Sequence, residues 1–266
     1  MTTVEPTTTS SIASNQVSVF LYTIYCELMK LIRIPAYVIP VIFFPTLFFA
    51  MFGLPNISNT IQGASAGEYI LASYSCYGLM SVGFFSFGVS IASERGLGWN
   101  KLLRVTPMNP VIYFLAKIIV ALIVGVITIA ILFIFGVLTG NLESKIGTLL
   151  IIGSFDLAGM LPFIAFGLLL GYSTGPNSAA GIANLIFLPL SFASGLFVPI
   201  TYLPSVIQKI AIYLPAYHVA QLGWNYLNAG DGKSYLYHLL WIAGYTIVFA
   251  FLAVIAYMRD ENKNYG

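Results

Sequence analysis

The sequence predicts an all-α integral membrane protein of six transmembrane helices, with an N-terminal interfacial helix, a short cytoplasmic helix and re-entrant outer helices before the last span. Composition is the first reason: of 266 residues 59% are hydrophobic and only 8% charged, with mean hydropathy +0.91, whereas soluble domains carry about 25% charged residues. Such a chain cannot clothe itself in polar surface. The second reason is that apolar runs recur at about the 20 residues a spanning helix needs. The third is the placement of the basic residues, which gather at alternate segment ends.

Residues 1–16, rich in Thr and Ser with Glu5 and Pro6, lack the basic start and apolar core of a cleaved signal, so a disordered cytoplasmic tail is expected there. From Val17 to Arg33, Val17, Phe20, Leu21, Ile24, Leu28 and Leu31 recur at helical spacing among Glu27, Lys30 and Arg33. That pattern suits a helix lying in the interface. The first span is about Ile34 to Leu54, with Pro35, Pro40 and Pro45 predicting kinks that neighbouring helices must satisfy. A polar loop, Pro55 to Glu68, precedes a second span, Tyr69 to Ala92, whose Gly, Ser and Tyr content permits close packing. The run Ile118 to Leu138 is the clearest span, with Lys117 snorkelling at its foot. A fourth span is placed at Ile146 to Gly171, and a Ser-Thr-Gly-Pro-Asn turn returns the chain into a fifth, Ala179 to Val198. Pro199 to Lys233, with its prolines and its aromatic residues Tyr213, Tyr217, Trp224 and Tyr226, reads as short helices dipping into the membrane edge. The last span is about Tyr237 to Tyr257, and residues 259–266 form a charged tail, so the membrane-embedded part of the chain is 17–258.

Orientation follows from Lys and Arg counts. With the N-terminus inside, Lys30, Arg33, Arg95, Lys101, Arg104, Lys117, Arg259 and Lys263 fall on or near the inner side, against Lys145, Lys209 and Lys233 outside, a division of 8 to 3. Both termini are expected in the cytoplasm of a cell with a bacterial-type plasma (inner) membrane. A net charge of +2 and pI near 8.4 give no nucleic-acid footprint. Cys26 and Cys76 have neither pairing nor metal spacing and are expected to be free thiols.

The segment between spans two and three reads Ser-Glu-Arg-Gly-Leu-Gly-Trp-Asn-Lys-Leu-Leu-Arg-Val-Thr-Pro, residues 93–107. Trp99, Leu102, Leu103 and Thr106 share one helical face, Lys101 and Arg104 face water or phosphate, and Pro107 and Pro110 stop the helix. From composition alone the segment reads first as an ordinary charged inner loop that satisfies the positive-inside rule. The run Glu-Arg, Gly-Trp, Leu-Leu-Arg, Thr-Pro nevertheless resembles the coupling-helix signature of type-2 ATP-binding-cassette (ABC-2 type) permeases. Ser194 to Pro199 (Ser-Gly-Leu-Phe-Val-Pro), followed by Leu203-Pro204 and Leu214-Pro215, is similar to the same family's stretch at the end of span five and its outer region.

The resemblance, covering about Val17 to Tyr257, implies a dimeric exporter permease seated on a separate ABC ATPase subunit, its partner in the dimer being a second copy or a homologue. The coupling helix would dock in that ATPase, and the substrate path would lie between the two permeases in the lipid bilayer. Glu94, Arg95, Gly98, Trp99, Leu103, Arg104, Thr106 and Pro107 are the ATPase-coupling candidates, with Glu94 read as a carboxylate at the start of a helix, fixing its angle. Many members carry an acidic or polar residue where this chain has Gly96. The chain itself is expected to need no cofactor and no metal, since ATP and Mg act through the partner, and it is expected not to be an enzyme. Multidrug or lipid efflux suits an apolar, aromatic path, for which Phe43, Phe44, Phe48, Asp156 and Asn184 are candidates.

Asp156 lies near mid-span, where a charge is costly, and is expected to be hydrogen-bonded to residues such as Ser154 or Asn184. A stand-alone channel or proton-coupled carrier using Asp156 is the competing reading. A membrane-embedded enzyme ranks lowest, for want of a catalytic constellation. His218 and His238, far apart in sequence, are expected as separate surface or interface histidines. Gly230-Asp231-Gly232-Lys233-Ser234 imitates the end of a phosphate loop, but Leu227 stands at the first Gly position, so an external turn is expected.

Overall fold

The computed structural model describes residues 9–33, 38–99, 102, 105, 109–140 and 145–263. Its elements, in order, are α1 (Thr9–Arg33), α2 (Val38–Asn56), the two-stranded hairpin β1 (Thr60–Ile61) and β2 (Ala64–Ser65), α3 (Ala66–Gly96), α4 (Pro110–Gly140), α5 (Ile146–Gly159), α6 (Leu161–Ser173), α7 (Ala179–Ala193), α8 (Ser205–Ala211), α9 (Pro215–Tyr226) and α10 (Tyr235–Lys263). Thus α1 begins at Thr9, inside the segment expected as tail, and α10 runs to Lys263.

Five helical stretches among the described residues are long and apolar enough to cross a membrane: α2, α3, Pro110–Thr139, Ile146–Ser173 (α5 and α6 together) and Tyr235–Asp260. The sixth expected span appears as α7, an apolar helix of 15 residues, shorter than a full crossing. The fourth span is interrupted at Met160, between Gly159 and Leu161, just before Pro162, which has no backbone donor.

Helix α3 is the hub. It is almost wholly buried and packs against α2, α4, α5, α6 and α9. Small residues allow this, because backbones can approach only where no side chain intervenes. A Cβ on Gly83 would lie 2.7 Å from the backbone of Phe163, and one on Gly88 would lie 2.8 Å from the carbonyl of Gly167. The same stretch, Val82–Val89, is wound as a π-helix, which widens the helix and turns Phe84, Phe85 and Phe87 relative to a regular α-helix. Phe84 stacks on Phe166, and both Phe84 and Phe85 meet Phe187 of α7. A second π-turn, Phe49–Gly53, lies in α2.

At the hairpin end, Tyr69 stacks flat on Trp224, with ring centroids 4.9 Å apart, and the indole Nε1–H donates to Ser73 Oγ at 3.0 Å. These contacts seat α9, a short helix, among α3, α5 and α10. Helix α1 packs along α4 and turns Val17, Leu21, Tyr22, Tyr25 and Ile32 outward. Cys26 and Cys76 are free, the first exposed and the second buried.

Candidate functional site

The charged end of α3 is where the sequence candidates converge. Four of them, Glu94, Arg95, Gly98 and Trp99, are described, whereas Leu103, Arg104, Thr106 and Pro107 lie outside the described residues. The final turn of α3 ends at Gly96, and Gly98 at φ +78° breaks the helical path, a conformation open to glycine at little cost. Trp99 and Leu102 follow with their side chains substantially exposed, and Leu102 donates its N–H to the Gly98 carbonyl at 3.3 Å.

Glu94 therefore sits in the last turn of a helix rather than at the start of one, and its partners are side chains instead of amide donors. Its Oε1 accepts from Lys117 Nζ of α4 at 2.7 Å, from Ser90 Oγ at 3.0 Å and from Lys30 Nζ of α1; its Oε2 accepts from the Tyr113 hydroxyl. Glu27 of α1 closes the ring, accepting from Lys30 at 2.6 Å and from Lys117 at 3.0 Å. Two carboxylates and two ammonium groups are thus interleaved, neutral in sum, where α1, α3 and α4 meet. Lys117 does not snorkel to the surface, as the sequence suggests. Its side chain is 5% exposed, because two carboxylates supply within the protein what water would supply outside. Burial disfavours the charge on Lys30, but Glu94 and Glu27 outweigh burial and raise its pKa above the usual lysine value.

Arg95, one residue on, reaches the other way. Its Nε donates to Asp260 Oδ2 at 3.1 Å and its Nη2 to Asp260 Oδ1, the two-point fork that a guanidinium makes best. Nη1 donates to the carbonyls of Gly171 and of Thr174, the latter at 3.1 Å, and the guanidinium lies 5.1 Å from the Tyr172 ring centre. Gly96 next to it is closely packed: a Cβ there would lie 2.7 Å from Pro176, in the turn after α6. Adjacent residues at the end of α3 thus hold α1 and α4 on one side and α6 and α10 on the other.

Sequence reasoning named Glu94 and Arg95 but missed Glu27, Lys30, Tyr113, Lys117 and Asp260 as their partners. The available signal was that isolated charges at helix ends of so apolar a chain require counter-charges.

The remaining candidates do not form one site. Asp156 is 1% exposed and accepts from Ser75 Oγ of α3. This corrects the expected partners: Ser154 donates instead to the Ile151 carbonyl, and Asn184 is exposed on α7. Phe43 and Phe44 are exposed on α2, while Phe48 lies in an aromatic cluster with Tyr74, Tyr77 and Phe197.

Nor are His218 and His238 apart. Both are fully buried, with their Nδ1 atoms 3.0 Å from each other, and His238 Nε2 lies 3.2 Å from Asp231. Spacing in sequence conceals this because α9 and α10 pack side by side. The phosphate-loop imitation is filled by its own chain: Asp231 N–H donates to Gln221 at 2.9 Å, Gly232 N–H to Asn225 at 3.0 Å and Lys233 N–H to Asp231 at 3.1 Å. Those amides are already spent. No group of three or more metal-ligating side chains occurs among the described residues.

Residues 12–255 match the family described as ABC-2 family transporter protein. The chain is also 27% identical over 239 residues, 89% of its own length and 95% of the other's, to the Bacillus subtilis (strain 168) protein named "Putative transport permease YvfS". A match over nearly the whole chain, to a helical membrane bundle whose charged cross-ties sit in the resembling motif, assigns the protein: it is a multi-pass membrane protein belonging to the ABC-2 family of transport permeases.

Proposed function

We propose that this chain is the membrane-spanning subunit of an ATP-driven exporter, working as a dimer with a second permease and coupled to a separate ATPase subunit that binds ATP and Mg. In this reading α7 with the following Ser194–Pro199 completes a sixth crossing, both termini are cytoplasmic, and the membrane is the bacterial-type plasma (inner) membrane. The observation that carries the reading is the double anchorage of Glu94 and Arg95. A force applied to the segment after Gly96 enters the bundle through α3, and these two side chains tie α3 to α1, α4, α6 and α10 at that end. Energetic coupling requires a contiguous physical connection of this sort. Trp99 and Leu102, exposed beyond the glycine break, are the surface offered to the ATPase.

The test is co-purification of the tagged chain from its native host with a soluble ATPase, followed by reconstitution of the pair in vesicles. Trp99→Ala is expected to leave the permease folded and to lower substrate-stimulated ATP hydrolysis and transport together. Wild-type stimulation in that variant overturns the placement of the contact, and recovery of the permease without any ATPase overturns the exporter reading.

The carrier reading makes Asp156 essential as a charge. Its enclosure against Ser75 favours a structural carboxyl, since an amide keeps that hydrogen bond without the charge. Asp156→Asn is therefore expected to retain assembly and most transport.

A further inference from the structure

At the charged end of the bundle a cavity of about 550 Å³ opens between the C-terminal end of α6 and α10. Leu169, Leu252 and Ile255 form its apolar wall, and Arg95, Arg259 and Asp260 stand at its mouth. Arg95 and Asp260 neutralise each other through the two-point contact described above. Arg259 is exposed, and none of the described residues bonds to it. Among the described residues the guanidinium of Arg259 thus has no ion-pair partner at the mouth, and the wall becomes apolar toward Leu252, seven residues and about 10 Å farther along the helix. Most of α10 faces outward from the bundle, with little of the span buried, and the cavity lies along that helix.

A cleft with a cation at its mouth and an apolar wall beneath suits an amphiphile with an anionic head. We propose that this cleft binds a phospholipid of net negative headgroup from the leaflet at this end. Its phosphodiester lies on Arg259 and an acyl chain lies along Leu169, Leu252 and Ile255, bridging α6 and α10 beside the Arg95–Asp260 tie. Arg259 then does more than satisfy topology, because a snorkelling arginine needs no cleft below it. The inference rests on membrane insertion alone, and it stands apart from the exporter reading.

Native mass spectrometry of the purified full-length chain in detergent provides the test, with phosphatidylglycerol, phosphatidylcholine of the same chains, and inorganic phosphate as probes. Phosphatidylglycerol is expected to bind preferentially, and Arg259→Gln to weaken it about fivefold, the worth of one juxtamembrane arginine, while Arg259→Lys retains most of it. Leu252→Trp, which fills the cleft but keeps the charge, is expected to weaken phosphatidylglycerol comparably. Undiminished binding in Arg259→Gln overturns the proposal. So does loss in Arg259→Gln with full retention in Leu252→Trp, which marks plain surface attraction, and so does displacement of the lipid by inorganic phosphate, which marks a free-anion site.

Discussion

Removing the Glu94 carboxylate would leave Lys117, 5% exposed, with one carboxylate in place of two, and Lys30 with Glu27 as its one remaining carboxylate. Glu94→Ala is accordingly expected to destabilise the protein by about 3–5 kcal/mol, as breaking a buried ion pair does. A surface acid would cost about 0–1 kcal/mol. Thermal unfolding in detergent measures the difference. Glu94→Gln combined with Lys117→Met is expected to cost less than the sum of the two single changes, because residues of one charge network couple by roughly 0.5–3 kcal/mol. Strict additivity would mean that the cluster is not a unit. Lys30 makes a pH prediction. Its raised pKa means that its contribution is fully present below the unfolded lysine value, about 10.4, and is lost as pH rises through the folded value. Protection of α1 from proteolysis is therefore expected to persist at neutral pH and to fail in strong alkali, and to fail at lower pH in Glu27→Gln.

Elements meet here through glycine. Where Gly83 and Gly88 face Phe163 and Gly167, an added methyl finds backbone 2.7 to 2.8 Å away, which no rotamer can relieve. Gly88→Ala is thus expected to destabilise by about 1–3 kcal/mol through overpacking, read as a fall in melting temperature. Gly181→Ala, which meets open space, is expected to be near neutral. Gly96→Ala pushes on Pro176, a ring that can move with its turn, so its cost should fall below that of Gly88→Ala while its effect on the segment beyond Gly96 is larger. The small-residue content of α3 was visible as a sign of close packing, but its π-helical stretch was not. In that stretch Phe84 packs between Phe166 of α6 and Phe187 of α7, and Phe85 against Phe187, contacts set by neighbours that local propensity does not report.

For the whole molecule, the proposed topology predicts that a cysteine introduced at Asn262 is labelled only from the cytoplasmic side and that ones at Asn59 and Asn228 react from outside. Labelling of Asn262 from outside would invert the assignment. The ties of Arg95 to Asp260 and of Gly96 to the Pro176 turn already bring the ends of α3, α6 and α10 to one end of the bundle, so Asn262 and that turn must be reached from the same side.

The sequence by itself determined the class, the main spans and the charged segment, because hydrophobic length and the cost of unpaired charge in hydrocarbon are local properties of the chain. It pointed to Glu94 and Arg95 through the motif around them. Only the tertiary structure decided what those residues hold. The partners Glu27, Lys30, Tyr113, Lys117 and Asp260 come from three other helices, up to 165 residues away, and no spacing rule reaches that far. The same holds for the paired histidines and for the Asp156–Ser75 contact: polar groups in an apolar bundle must find one another, but which pairs meet depends on how the helices pack.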